Sequence, residues 1–473
     1  MQRLFPGKAV TGGVTADGGE EPPLSPLMAL DGLALRLRQV ADGKAEDLDP
    51  RWQEALRVLW RSKEWGGRMR QVISSLNAHV EAGRLTLEQT RRLFTQDTVS
   101  ISRLEQFAAC PYKHFVDYGL KPVKRQEFVF DPAQRGDFFH EALQQYATLA
   151  SALPQWPQVE EEDTQRLMDQ VLAPMTARWE GGPLTEDAMG RQLGQGYIRD
   201  VRRAAWLFTR HARNSRFTTW GTEVAFGEEG GLPPVLLTLR DGRRVALRGK
   251  IDRIDRYQGD KGLYLRVIDY KSSQHDIDPT RLWYGLQLQL LLYLKAASQI
   301  RPDALPAGAF YFTVKDPMVN APEDVKAEAE RLIARELRLE GVVLAETEVV
   351  DAMDDQEKEL SLGKVFNKDG SIAASADAYG LEEMRALLDH VQQTAAGLTD
   401  RIRWGCLDIS PAQDGSWSAC DWCDYAAVCR LDPALPGGEK RCLAHLTRQE
   451  LAQRLANKVD GGESSPAEDV PQG

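Results

Sequence analysis

Two short stretches limit this chain more than any other: Gly249-Lys250-Ile251-Asp252-Arg253-Ile254-Asp255 and Val267-Ile268-Asp269-Tyr270-Lys271. Both alternate as strands do, and Gln258-Gly259-Asp260-Lys261-Gly262 between them is a turn cluster. A hairpin centred between Asp260 and Lys261 sets position 252 opposite position 269. Facing carboxylates are unfavourable on paired strands. A cation between them removes that cost, and carboxylate oxygens suit Mg2+ or Mn2+. Lys271 leaves the strand on the same side as Asp269. Two acids and a lysine on one sheet face form a constellation for metal-dependent phosphodiester hydrolysis.

The flanking chain has to supply the rest of an α/β domain. Residues 1–30 are rich in Gly, Pro and acids and are expected to be mobile. From Pro26 to Leu93 the pattern is helical, with Trp52, Leu56, Leu59 and Trp60 on one face. Ser102 and Glu105 have capping-box spacing at a helix entry, and Cys110 follows near that helix's end. Gln134–Ala150 reads as a helix with Phe139, Leu143 and Tyr146 inward and His140 at the edge of the stripe. Residues 159–216 are also expected to be helical; their arginines fit a solvated face as well as a functional one. Strands are expected at Thr222–Phe226, which carries Glu223, at Val235–Leu239 and at Ala309–Val314. Asp278–Ser298 reads as one helix, with Gln289 and Tyr293 sharing a face. Residues 322–340 and 380–404 are helical, and the stretch from Lys458 onward is expected to be disordered. The order gives an α/β core with a mixed sheet.

Net charge is −11, so any affinity for nucleic acid must be local. Arg240, Arg243, Arg244, Arg248, Lys250, Arg253 and Arg256, in or near the first hairpin arm, suit a phosphate track. No P-loop occurs, which excludes ATP hydrolysis by that route. No apolar run reaches membrane-spanning length and no signal peptide is evident, so a cytoplasmic protein is expected.

Six cysteines in such a chain do not read as a disulfide framework. Cys420-x2-Cys423-x5-Cys429 is a compact trio one ligand short of a four-coordinate site, and Cys110 is the best candidate for the fourth. Four thiolates hold Zn2+ or an iron–sulfur cluster; spacing does not choose between them, and zinc sites of this kind are common. Cys406 and Cys442 read as ordinary free cysteines.

Together these residues resemble a known family. Ser100-Ile101-Ser102-Arg103-Leu104-Glu105-Gln106-Phe107-x-x-Cys110-Pro111-Tyr112, with Phe115 and Tyr118-Gly119-Leu120, resembles the entry to an AddB-type nuclease domain of the bacterial AddAB helicase–nucleases. Gly136-x-x-x-His140, Gly249-x-x-Asp252, Asp269-Tyr270-Lys271 and Gln289-x-x-x-Tyr293 are similar, in order, to the motifs of RecB-like PD-(D/E)xK nucleases. Ile268 stands where the family often has proline. The likeness runs from about residue 98 to 432. It implies a restriction-endonuclease-like core, with a mixed central sheet flanked by helices, preceded by a helical segment (31–97) that resembles the end of a helicase-like region. Residues 98–435 would be the nuclease domain and 436–473 a largely disordered tail.

The resemblance also implies the chemistry. His140, Asp252, Asp269 and the Tyr270 carbonyl would bind Mg2+ or Mn2+. Lys271 would orient or activate the attacking water, and Gln289 and Tyr293 would brace the site or touch DNA. Glu223 would be at most an auxiliary. Cys110, Cys420, Cys423 and Cys429 would hold a structural [4Fe-4S] cluster. The implied partners are the end of a single DNA strand and an AddA-type subunit in a heterodimer, with no membrane. The implied activity is exonucleolytic, in double-strand-break repair by recombination. Alternatives are a stand-alone nuclease like the CRISPR-associated iron–sulfur exonucleases, and a DNA-clamping subunit with a decayed site.

Overall fold

The computed structural model describes residues 25–76, 80–94, 97–123, 132–320, 326–433 and 435–459. Of the stretches expected above to be mobile (1–30) or disordered (from Lys458), residues 1–24 and 460–473 lie outside the described residues, as do Lys124 and Arg125, while residues 26–30 and 458–459 are helical. The chain divides into two compact units, residues 1–81 with 427–439, and residues 82–426 with 440–473. The larger unit thus takes in residues 82–97 ahead of the expected nuclease domain, and a short late segment belongs to the first unit.

The N-terminal part of the smaller unit folds as α1 (Pro26–Ala41), α2 (Pro50–Arg61) and α3 (Gly66–Leu76). Ser25 and Asp49 cap the first two through Met28 N–H and Arg51 N–H, with proline at the first turn of each. Leu33, Trp52, Ala55, Leu59 and Met69 form its core. Trp60, placed above on the buried face, is exposed; Ala55 takes the inward position.

The larger unit begins with α4 (Leu87–Leu93), β1 (Thr98–Ser100), α5 (Ile101–Ala109) and the short α6 (Pro111–His114). Three long helices follow, α7 (Pro132–Ser151), α8 (Glu161–Ala177) and α9 (Ala188–Arg213). Next come β2 (Thr218–Phe226), β3 (Val235–Thr238), β4 (Arg244–Gly259) and β5 (Gly262–Lys271). Then α10 (Pro279–Trp283), α11 (Gln289–Ala297), β6 (Leu305–Thr313), α12 (Lys326–Glu336), β7 (Glu340–Leu344), α13 (Thr347–Met353), β8 (Ala378–Tyr379) and α14 (Leu381–Arg403) complete the core. The chain closes with β9 (Ala412–Asp414), β10 (Trp417–Ser418), α15 (Ala426–Cys429), β11 (Arg441–Cys442) and α16 (Arg448–Val459).

The central sheet is mixed, in the order β1-β4-β5-β6-β7-β8, with β2 and β3 also on β4. β4 and β5 are antiparallel, and β5 and β6 are parallel. Both faces of the sheet are covered, so β5 is buried at nearly every residue. Leu263, Leu265 and Val267 face α5, α11, α14 and α16; Tyr264, Ile268 and Tyr270 face α7, α8, α9 and α13. Among the described residues, no helix is long and apolar enough to cross a membrane.

Four expectations need correcting. Helix α5 starts after Ser100, so Ser102 is internal, and Glu105 does not close a capping box. The helix expected over 278–298 is broken: Gly285 takes a left-handed turn (φ 78°), with Thr394 and Leu398 beneath it, and α11 restarts at Gln289. The tail expected over 436–473 contains β11 and α16, because Leu451 and Leu455 complete the hydrophobic cluster around α14. Arg253, placed on the phosphate track, is buried on the far side of the sheet. There it donates to Asp255, which also accepts from the buried Arg266.

Candidate active site

The β4–β5 ladder runs from Gly259↔Gly262 to Arg253↔Ile268. Asp252 lies one residue past the last pair, and its charge acts on Asp269. Residues 267, 269 and 271 share the face packed by α11, while 266, 268 and 270 face the opposite layer.

Asp252 and Asp269 are 7% and 2% exposed. The Tyr270 N–H donates to Asp252 Oδ2 at 2.8 Å, and His140 Nδ1 of α7 lies 3.2 Å from the same oxygen. Gln289 Nε2 donates to Asp269 Oδ1 at 3.3 Å, while Lys271 Nζ stands 2.6 Å from Oδ2. Lys271 Nζ also donates to Gln289 Oε1 (3.3 Å), and Gln289 Nε2 to Tyr293 Oη (2.9 Å). Asp269, Lys271, Gln289 and Tyr293 thus form one network. The Tyr270 side chain lies on the other face, its ring edge-on to His140.

Glu223 is brought closer than the sequence indicated. Ligand atoms of His140, Glu223 and Asp252 all lie within 4.8 Å of one another. Glu223 also pairs with Lys250 and holds a left-handed backbone (φ 52°) inside a strand, a conformation costly for a non-glycine residue. Its place in a strand antiparallel to β4 was the only available signal; its backbone angle is not legible in residue order. The glycine of Gly249-x-x-Asp252 has a steric reason: a Cβ there would sit 2.7 Å from the Phe226 ring and 3.3 Å from Tyr293.

The electrostatics are those of an unfinished cation site. Burial and the Asp252 charge push the Asp269 carboxyl above its ordinary pKa, against the pull of Lys271. Burial disfavours charge on His140, yet the hydrogen bond and charge of Asp252, with Asp269 and Glu223, raise its pKa overall. Asp269 Oδ2 is buried and, among the described residues, has no aligned hydrogen-bond donor. An acid-rich set with a buried, incompletely satisfied carboxylate oxygen fits a hard divalent ion.

Much of the remaining arginine-rich surface is internally matched. Arg202 pairs with Asp169, Arg203 with Glu330, Arg213 with Glu160 and Arg216 with Asp355. Arg240, Arg244, Arg248 and Arg256 are exposed.

Cys110 lies buried between α5 and α6; burial raises its thiol pKa, and the charges of Cys420 and Cys423 act on it in the same direction. Tyr425 Oη donates to Asp117, Gln106 donates to the same carboxylate, and Arg441 donates to the Ala108 carbonyl. Late chain is thereby fixed beside the Cys110 helix. Cys429 ends α15, Cys406 is buried and Cys442 is exposed.

A mixed sheet that gathers two buried acids and a lysine on neighbouring strands defines a nuclease of the PD-(D/E)xK kind. The family profile described as "PD-(D/E)XK nuclease superfamily" matches residues 98–430, and the chain belongs to that superfamily. It is 35% identical over 463 residues to the AddB-type subunit of the ATP-dependent helicase/deoxyribonuclease of Moorella thermoacetica, covering 94% of this chain and 39% of that protein. The corresponding subunits from Alkaliphilus metalliredigens and Acetivibrio thermocellus are each 29% identical, over 96% and 97% of this chain and 40% and 41% of theirs. The chain spans about two-fifths of the length of these curated relatives.

Proposed function

We propose that this chain is the nuclease part of an AddAB-type helicase–nuclease. It would hydrolyse phosphodiester bonds of single-stranded DNA as a Mg2+- or Mn2+-dependent exonuclease. An AddA-type subunit would deliver the strand, in double-strand-break repair by recombination. The observation that carries this reading is the pair of mutually interacting buried acids on β4 and β5, with Lys271 against one of them. His140, Asp252, Asp269 and the Tyr270 carbonyl would hold the ion, with Glu223 within reach of His140 and Asp252. A bound divalent ion polarises the phosphate and lowers the pKa of its water. Lys271, held between Asp269 and Gln289, places a positive charge where the phosphate's negative charge grows. The exposed Arg244 and Arg248 provide phosphate contacts on the approach.

Cys110, Cys420, Cys423 and Cys429 would carry a structural [4Fe-4S] cluster. The support is that Cys110 is buried within electrostatic reach of Cys420 and Cys423.

The test is digestion of a labelled single-stranded oligonucleotide with and without Mg2+. Cleavage should require the ion, and Asp269→Ala should abolish it while leaving the visible absorbance and thermal unfolding of the protein in place. An Asp269→Ala protein that cleaves like the parent would remove this site from the reaction.

A further inference from the structure

Glu105 lies on α5, far from the acids in sequence, yet its carboxylate reaches the nuclease face. Oε1 accepts from the backbone N–H of Leu288 at 2.7 Å and of Gln289 at 2.8 Å, across 183 and 184 residues. These are N–H groups at the start of α11, which a helix cannot satisfy internally. The residue at the capping position is Leu288, whose side chain has no acceptor to offer. Glu105 supplies what a local serine or aspartate supplies elsewhere.

We infer that Glu105 is a positioning residue for the nuclease site: by capping α11 from α5, it fixes Gln289 against Asp269 and Lys271.

The chain of contacts is short. Gln289 is the first residue of α11, so the two capped N–H groups set its backbone directly. Its side chain then donates to Asp269 Oδ1 and Tyr293 Oη and accepts from Lys271 Nζ. A shift at the α11 terminus moves a side chain that touches both Asp269 and Lys271. Stability alone is a poor reason for this arrangement. The carboxylate end is deeply placed, and burial raises its pKa to about 7 even though the two N–H groups and Lys271 favour its charge. A local polar cap at position 288 would satisfy the same N–H groups without carrying a carboxylate into the interior. A remote acceptor instead makes the orientation of α11 depend on α5, the helix that ends at Cys110.

The inference rests on the nuclease reading, so the test carries a readout independent of cleavage. Three full-length variants are compared with the parent: Glu105→Gln keeps an acceptor at full reach without charge, Glu105→Asp keeps the charge but shortens the reach, and Glu105→Ala removes both. If position is what matters, kcat on a single-stranded oligonucleotide falls about 10- to 100-fold in the alanine and aspartate variants. KM stays unchanged, and the glutamine variant recovers most of the activity. Hydrogen exchange at the Leu288 and Gln289 amides should quicken in the alanine and aspartate variants and not in the glutamine variant. Parental kcat in Glu105→Ala would overturn the inference. So would an aspartate variant more active than the glutamine one, which would make charge the operative property. Should Glu105→Ala not fold, the glutamine and aspartate pair still decides. If the parent cleaves nothing, the nuclease reading falls, while the exchange rates continue to decide whether Glu105 holds α11.

Discussion

The back of the β4–β5 hairpin offers a measurable test of what holds its two buried acids in place. Asp255 is fully buried between Arg253 and Arg266, whose side chains are 4% and 2% exposed; it accepts from them at 2.6 and 2.9 Å. The guanidinium groups also lie over Phe208 and Phe217, 4.1 and 4.7 Å from the ring centroids. Asp255→Asn keeps the volume and removes the charge, leaving two cations in the interior without their bonded carboxylate, and only the charge of Asp354 acting on Arg266. Breaking a buried pair in this way costs about 3–5 kcal/mol, a large part of the roughly 5–15 kcal/mol that holds a domain folded. At about 2–4 °C per kcal/mol, unfolding should move down by about 6–20 °C. Urea titration of the metal-free protein at pH 7 measures the loss. The triple replacement of Arg253 and Arg266 by Met and Asp255 by Leu removes the charges together and should unfold near the parent, since a buried ion triad gains little over good apolar packing. Acid gives a second reading. Burial disfavours the charged Asp255, but the two guanidiniums outweigh it and hold its pKa below the ordinary 3.8. Its stabilisation is therefore complete above that value and is lost as pH falls through the depressed one. The asparagine variant should lack this loss below pH 4. An asparagine variant with the parent's urea midpoint would refute the assignment of the triad as the hairpin's rear fastening.

Three further outcomes are expected. Glu223→Gln should weaken Mn2+ binding, measured by the spin-resonance signal of free Mn2+, because Glu223 shares a 4.8 Å space with His140 and Asp252; unchanged affinity would exclude it as a ligand. Glu105 is raised from 4.5 to about 7 in the fold, so the metal-free protein should lose roughly 3 kcal/mol as pH climbs between those values and none of it below them. Glu105→Gln should flatten that slope in denaturant midpoints taken from pH 4 to 8. Cys110→Ser should bleach the brown colour of protein purified without oxygen, whereas a zinc site would be colourless in the parent as well.

The hairpin was legible because its signals are local: period-two alternation and a Gly-Asp-Lys-Gly turn fix both the faces and the pairing. The helix with His140 at the edge of an apolar stripe was legible for the same reason. What escaped depends on three-dimensional proximity. Arg253 looked like a phosphate contact because charge does not say which face of a strand it leaves on; only the position of Asp255 and Arg266 tells that. Glu105 looked like a local cap because the Ser102 spacing allowed it, while the amides it accepts from lie beyond any sequence window. The break at Gly285 was masked by apolar spacing that continues across it. Tertiary packing of Leu451 and Leu455 made a helix of a stretch whose composition reads as tail.

The same hairpin carries opposite charge arrangements on its two sides, and this bears on how the chain finds its pairing. A slip of one residue between β4 and β5 would exchange the sides of a whole strand. Asp252 would leave the company of His140, and Arg253 would enter the space meant for a divalent cation, facing Lys271. Asp255, turned over with its strand, would lose Arg266 in the same move. Misregistered hairpins are thus penalised from above and below at once, so the residues proposed for the reaction also discourage the chain from assembling the site one step out of line.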